Sequence, residues 1–445
     1  MNQANQKDKK LGLGTTSAFV IANMIGAGVF TSLGFQLLGI HNVIAILLLW
    51  IIGGIIALCG SLVYSELGAA MPRSGGEYHY LTQIYHPIVG FLSGWISITV
   101  GFAAPVAAAC MALGKYSSMT LHCSPQIIAI TVLIIITAIH SYSISMGGGF
   151  QNIFTAFKVL LIIVFVVCGF LLIPHFQDLS GDFKTFSWKD LLSPGFVVSL
   201  FYVSYAFSGW NASAYIASEI KNPQKIIPKS LFFSTLLVTA LYFLLNLTFL
   251  LTAPVSELKG TLDVGNVSAV HIFGVTGGNI MAMLISILLV SSISSMVFVG
   301  PRVSQVMGQD MKVLKFLSGK SKKGTPYVAV IFQSLISLIF ILTSSFESTV
   351  LYIGFTLNLF TFLAVFGIFV HRAKFKNIER PYLTWGYPVV PIIFLLASTW
   401  SLAYLIISKP FESSMGFLTV MAGSIIYFIN LYLEKLNILK TKNAL

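Results

Sequence analysis

Asn23-Met24-Ile25-Gly26-Ala27-Gly28-Val29-Phe30 lies inside an apolar run, Leu11 to Phe35, that carries no charge. The run is long enough to cross a bilayer as a helix. Each glycine disfavours helix by about 1 kcal/mol, so Gly26 and Gly28 together mark a midpoint where the helix opens. Hydrocarbon offers no water to opened N–H and C=O groups, so such a point is stable only where it faces protein or a ligand cavity. Unwound backbone at the bilayer midplane is a device by which secondary transporters hold substrate.

The rest of the chain agrees with a membrane setting. Of 445 residues, 56% are hydrophobic and only 9% charged, whereas a soluble domain carries about 25% charged residues. Mean hydropathy is +0.88. Twelve spans are predicted, at 12–36, 41–70, 84–114, 126–144, 150–173, 194–219, 229–253, 278–307, 326–343, 349–370, 386–407 and 412–433. The expected class is an all-α polytopic membrane protein. With the N-terminus inside, twenty Lys and Arg fall on the inner side and five (Lys115, Lys184, Lys189, Lys259, Lys409) on the outer, with Lys158 left within a span. Acidic residues divide seven to seven by the same count. This positive-inside bias places both termini in the cytoplasm. It also accounts for the net charge of +12 without nucleic acid. The first span is too long for a signal h-region, and no cleavable signal is expected. The four cysteines (Cys59, Cys110, Cys123, Cys168) have no metal-ligand spacing and suggest packing residues and a free loop thiol, with no cofactor.

A second interruption falls in the sixth span, Phe201-Tyr202-Val203-Ser204-Tyr205-Ala206-Phe207-Ser208-Gly209-Trp210-Asn211-Ala212. Five spans separate the two, an odd offset that inverts orientation. Close packing of helices through small residues explains either segment alone. Both in register point instead to inverted repeats with a binding site between them. The chain then divides into a tail 1–11, a first five-helix repeat 12–173, an extracellular connection 174–193, a second repeat 194–370, two further helices with their loop 371–433, and a tail 434–445.

The half-helix beginning near Ala27 and Gly28 offers N–H groups and a positive dipole end to a carboxylate. Carbonyls around Met24 and Ile25, with those around Tyr205 and Ser208, suit an ammonium group. A ligand bearing both charges close together is an α-amino acid, although any small zwitterion satisfies the same pattern. The uncharged stretch of span three (Gly101 to Ala109) and the lack of any Asp or Glu at the expected midplane favour neutral amino acids. Tyr205, Phe207 and Trp210, beside Gly209, are expected as pocket walls or gates.

Lys158 is the lone charge within a span, about 12 Å along span five. It can snorkel to the interface, or face the bundle interior and bond carbonyls or hydroxyls. In the second case it does the work of a bound sodium ion, or carries a coupling proton. His79 and His140 are expected at helix ends near the interface, and Glu66 and Glu219 as helix-end or inner-gate ion-pair residues.

Further motifs extend over most of the chain: Tyr64-Ser65-Glu66-Leu67-Gly68, Pro72-Arg73-Ser74-Gly75-Gly76-Glu77-Tyr78, Phe154-Thr155-Ala156-Phe157-Lys158, Phe207-Ser208-Gly209-Trp210-Asn211, Glu219-Ile220-Lys221-Asn222-Pro223, Gly300-Pro301-Arg302 and Arg380-Pro381-Tyr382. With Ile25-Gly26-Ala27-Gly28-Val29-Phe30 they resemble the amino acid–polyamine–organocation superfamily, and within it permeases related to the L-type (LAT-like) transporters. The resemblance implies a LeuT-type fold of two inverted five-helix repeats plus two helices, working by alternating access. It implies that Ala27 and Gly28 meet a substrate carboxylate and the carbonyls of Met24, Tyr205 and Ser208 its ammonium. Tyr205 takes the place of an aromatic gate, Asn211 a polar position beside the site, and Lys158 that of a sodium ion, which goes with sodium-independent exchange. Many relatives carry serine where this chain has Ala27, so the carboxylate would rest on backbone donors. Relatives with a heavy-chain partner carry a cysteine in the loop of Cys123. The short tails look bacterial, so that partnership is not transferred, and a monomer or homodimer in a bacterial inner membrane is expected. A proton-coupled symporter is the alternative within transport. A membrane-embedded enzyme needs clustered intramembrane His, Asp or Glu, which the sequence does not offer.

Overall fold

A computed structural model describes residues 10–142, 148–173, 176–321 and 324–442. The start of the expected N-tail, the end of the span expected at 126–144, and Lys322 and Lys323 of the basic loop lie outside the described residues, as does the extreme C-terminus.

The first span is two helices, α1 (Leu13–Met24) and α2 (Ala27–Gly39), joined by extended backbone at Ile25 and Gly26. Then come α3 (Val43–Ala70), α4 (Glu77–Ile84), α5 (Pro87–Ile96), α6 (Ala103–Leu121), α7 (Pro125–Tyr142), α8 (Gly148–Leu172) and the short α9 (Ser180–Thr185). The sixth span is likewise divided, into α10 (Pro194–Phe207) and a single turn, α11 (Ala212–Tyr215), with a 3-10 turn at Ala217–Glu219. The remainder is α12 (Pro223–Thr252), α13 (Val255–Leu258), α14 (Val264–Asp310), α15 (Tyr327–Thr343), α16 (Phe346–Lys374), α17 (Val389–Ser408) and α18 (Pro410–Lys442). Ten helical segments among the described residues are long and apolar enough to span a membrane, counting α1–α2 as one, and α10 and α15 are shorter apolar helices. Together they match the expected twelve.

Helix starts follow local chemistry. Asn42 caps α3 by accepting from the N–H groups of Ile44 and Ala45. Proline stands at the first turn of α5, α10 and α12, where its missing N–H is harmless. Several boundaries differ from expectation. The third span is not one continuous helix: a π-turn at Ser97–Gly101 separates α5 from α6, and residues 77–84 form a separate inner helix. α14 is two helical stretches joined at non-helical Gly274 (φ 75°): a helix over 264–273 precedes the eighth span, whose own helix resumes at Val275, close to the expected 278. The polar connection at 174–193 contains α9 and a 3-10 turn at Trp188–Leu192.

The first four spans each pack against the span five positions later: α2 on α10, α3 on α12, α6 on α14, α7 on α15. The two interruptions touch. Gly209 has φ +98°, open to glycine at no steric cost, and a Cβ there would stand 2.6 Å from that of Asn23. A Cβ at Gly28 would approach the Cα of Ala206 to 2.5 Å, so Gly28 sets how closely α2 and α10 approach. At Gly26 the nearest atoms are 3.8 Å away.

Gly28→Ala is therefore expected to lower the apparent melting temperature in detergent by several degrees, on the overpacking scale of about 1–3 kcal/mol. Gly26→Ala should melt with the wild type. Equal melting of the two variants would contradict this packing.

Candidate functional site

Opening a helix at Ile25 strands carbonyls, and the structure shows what takes them. Lys158 on α8 is fully buried. Its Nζ donates to the carbonyls of Ala22 (3.2 Å) and Ile25 (3.0 Å) and to Ser292 Oγ (2.7 Å). An ammonium has three protons, and all three are placed. Ser292 Oγ donates in turn to the Ile25 carbonyl at 2.7 Å. Lys158 therefore faces the bundle interior rather than the interface, and bonds the broken backbone itself.

Tyr242 on α12 ties the two interruptions together. Its hydroxyl lies 2.6 Å from the Met24 carbonyl and 2.9 Å from the Ala206 carbonyl. Asn23 donates to the Phe19 carbonyl and to Ser295 Oγ, each at 2.8 Å. On the far side of the break, α2 starts at Ala27 with no side chain capping it, and Ala27, Val29 and Phe30 are buried. A buried helix start without side-chain partners is a ready site for an anion.

A cavity lies beside the second interruption, bounded by α3, the π-turn, α16 and α17. Tyr205, Phe207, Ser208, Gly209, Trp210 and Asn211 all line it. From the first interruption only Asn23 is among the lining residues; Met24, Ile25, Gly26, Ala27 and Gly28 are not. The Ile25 carbonyl, expected to meet a ligand ammonium, already accepts from Lys158 and Ser292, which fills both its lone pairs. Met24 keeps one lone pair beyond Tyr242. Tyr205 meets the Phe346 ring edge-on at 6.0 Å. Trp210 wedges between Tyr64, 4.8 Å away, and Gly60, where a Cβ would come within 2.9 Å of the indole.

Two expectations are corrected. A carboxylate does reach the cavity: Glu77, 4% exposed, is among its lining residues. It accepts from Tyr64 (2.7 Å), Asn211 (2.7 Å) and Tyr215. The connection read as a loop is helical from Glu77, and Gly75 (φ +120°) and Gly76 (φ +54°) turn the chain inward. His140 stands in the last turn of α7, as expected of a helix-end residue, but turns into the bundle: it is buried, with Nε2 2.8 Å from Ser294 Oγ. The signal for these partners is Ser291-Ser292-Ile293-Ser294-Ser295, four hydroxyls within one turn and a half of an intramembrane helix.

At the end where the N-terminal segment enters, Glu219 pairs with Arg302 (2.6 Å) and Arg73 with Asp310 (2.9 Å). Leu11 exchanges backbone hydrogen bonds with Glu219 and Lys221, joining the entry of the first broken span to the exit of the second. Glu66, wholly buried, is held by Arg372 (2.7 Å) and the Thr384 N–H (2.7 Å). It staples α3 to α16 and the loop before α17, away from both interruptions. Just outside the spans, burial and the Arg73 charge lower the pKa of His79 to about 4, so its ring is neutral at physiological pH. Cys123 is exposed and unpaired, and no disulfide joins the described cysteines.

Two interrupted helices that meet across buried polar groups, beside a mid-bundle cavity, define a multi-pass membrane protein of the carrier type. The family model described as amino acid permease matches residues 11–431, and the chain belongs to that family. It is 30% identical over 432 residues to the human b(0,+)-type amino acid transporter 1, covering 95% of this chain and 88% of the relative. It is 28% identical over 437 residues to the mouse large neutral amino acids transporter small subunit 2, covering 95% and 81%.

Lys158→Met keeps the length and removes the donor, leaving the Ala22 carbonyl without a partner at about 1–3 kcal/mol, while the Ile25 carbonyl keeps Ser292. The variant is expected to melt several degrees below wild type, and Lys158→Arg not to restore it, because a planar fork does not match three acceptors around a point. Wild-type melting of Lys158→Met would show that the first break holds itself open without the lysine.

Proposed function

We propose that this chain is an amino acid carrier that works by alternating access and exchanges neutral L-amino acids without sodium. The observation that carries the proposal is the Lys158 ammonium seated on the broken backbone of the first span. A cation at that point offsets the exposed carbonyls and supports the positive start of α2 opposite. In a conformation that extends the cavity past Asn23 to the first interruption, substrate carboxylate meets the N–H groups at Ala27 and Gly28, and substrate ammonium the carbonyls of Met24, Tyr205 and Ser208. Since all three Lys158 protons are used, it acts on substrate through the backbone it holds.

Glu77 does not overturn the neutral preference. Both its oxygens are engaged by three neutral donors, so it does not wait for a cationic side chain. Tyr205 and Trp210 serve as gates at the second interruption. Spans 12–173 and 194–370 act as the two inverted repeats, a reading supported by the contacts between spans five apart. The charge count supports cytoplasmic termini, and membership of a permease family supports a carrier without enzymatic activity. The family supplies the further support, since proteins named for amino acid transport align with 95% of the chain.

Proteoliposomes loaded with unlabelled amino acid should accumulate labelled alanine, serine or leucine with no sodium gradient, and empty ones should not. Uptake that requires sodium contradicts the role given to Lys158. Uptake into empty vesicles with proton movement indicates symport instead.

A further inference from the structure

Several ties close the cavity at the end where the N-terminal segment lies. Most are at the surface: Arg73 is 48% exposed beside Asp310, and Glu219 is 41% exposed beside Arg302. Exposed pairs of this kind contribute little. One tie differs in both burial and position. The Glu77 side chain receives Tyr64 from α3, and Asn211 and Tyr215 from the inner half of the second interrupted span. Hydrogen bonds to an ionised acceptor are about twice as strong as neutral ones. Glu77, Asn211 and Tyr215 also line the cavity, so this tie alone among those named is in a position to sense what fills it.

The local sequence is built for this approach. Gly76 packs against the Tyr215 ring so closely that a Cβ there would come within 2.4 Å of it. Phe102, at the end of the π-turn, meets the same ring edge-on at 5.3 Å. Tyr64 is fixed in turn by Trp210 and Tyr80. The Asn211 amide divides its protons between Glu77 and the Tyr215 hydroxyl, 3.2 Å away. The short turn α11 has too few residues to hold itself as a helix, so its position rests on side-chain anchors.

We infer that Glu77 is a positioning residue: its carboxylate latches the inner half of the second interrupted span against α3 and α4, and letting go of Asn211 and Tyr215 opens the cavity toward the N-terminal side. The inference rests on the alternating-access reading. Failure of wild-type exchange would sink that reading, whereas working exchange with an unaltered latch variant would sink this one alone.

The test uses full-length carrier with its four cysteines replaced and a reporter cysteine introduced at cavity-lining Ser97. An impermeant maleimide is applied from each side of membrane vesicles. Glu77→Gln, which keeps the shape and removes the charge, is expected to raise labelling from the N-terminal side at least about tenfold, the scale of one lost charge-assisted hydrogen bond. Glu77→Asp, which keeps the charge, should fall between that variant and wild type. Shifting the population also lowers the half-saturating concentration on the opened side and raises it on the other, whereas a direct substrate contact raises both. Tyr64→Phe removes a single donor, and should shift labelling in the same direction by a smaller factor even if Glu77→Gln fails to fold. Unchanged labelling in Tyr64→Phe, a rise in half-saturation on both sides, or lost thermal stability with wild-type accessibility would each overturn the latch.

Discussion

An ammonium held against opened backbone is the interaction on which the rest depends. A transmembrane helix that breaks at its midpoint leaves carbonyls that neither lipid nor water satisfies. Here Lys158 answers two of them directly, and Ser292 reinforces the Ile25 carbonyl. The charge is itself expensive to bury, by several kcal/mol, and becomes tolerable because every proton has an acceptor. Each partner thus makes the other possible. The break needs a donor that only a long side chain from a neighbouring span supplies, and the lysine needs acceptors that only a broken helix offers.

From that pairing the geometry of the centre follows. With α1 and α2 pinned apart at Ile25–Gly26, the second interruption can seat against the first, Gly209 over Asn23 and Gly28 against Ala206. Tyr242 bridges both through the Met24 and Ala206 carbonyls. The uncapped start of α2 faces inward, and the cavity forms on the side of α10 turned toward α3 and α17. The polar groups at this centre are thus largely backbone, which suits ligands that carry their own charges.

Much of this was legible from residues alone. Apolar runs and basic loops gave twelve spans, because bilayer thickness and charge asymmetry act on composition directly. Gly26 and Gly28 marked the first interruption, and Gly209 between Ser208 and Asn211 the second; only at Gly209, φ +98°, does the backbone conformation itself call for glycine. Lys158 stood out as a charge where charges are costly. What stayed hidden depended on three-dimensional approach. Glu77 reads as a loop residue until Gly75 and Gly76 fold it into the bundle. Ser292, Ser294 and Ser295 read as ordinary small residues until Lys158, His140 and Asn23 reach them from other spans. The helix over 264–273 was hidden because Asn266, Ser268, His271 and the glycines at 265 and 274 interrupt its apolar pattern. The carbonyl of Ile25 was assigned to a ligand because sequence does not say which side chains arrive first.

The central claim is that the two interruptions, held by Lys158, form one site for a zwitterion. A density map of the carrier with bound L-alanine in sodium-free buffer tests it most directly. The account predicts the substrate carboxylate within about 3 Å of the N–H groups of Ala27 and Gly28, its ammonium toward the carbonyls of the second interruption, and Lys158 still on Ile25. Alanine seated away from both interruptions, or a bound metal ion in place of the Lys158 contacts, would contradict it.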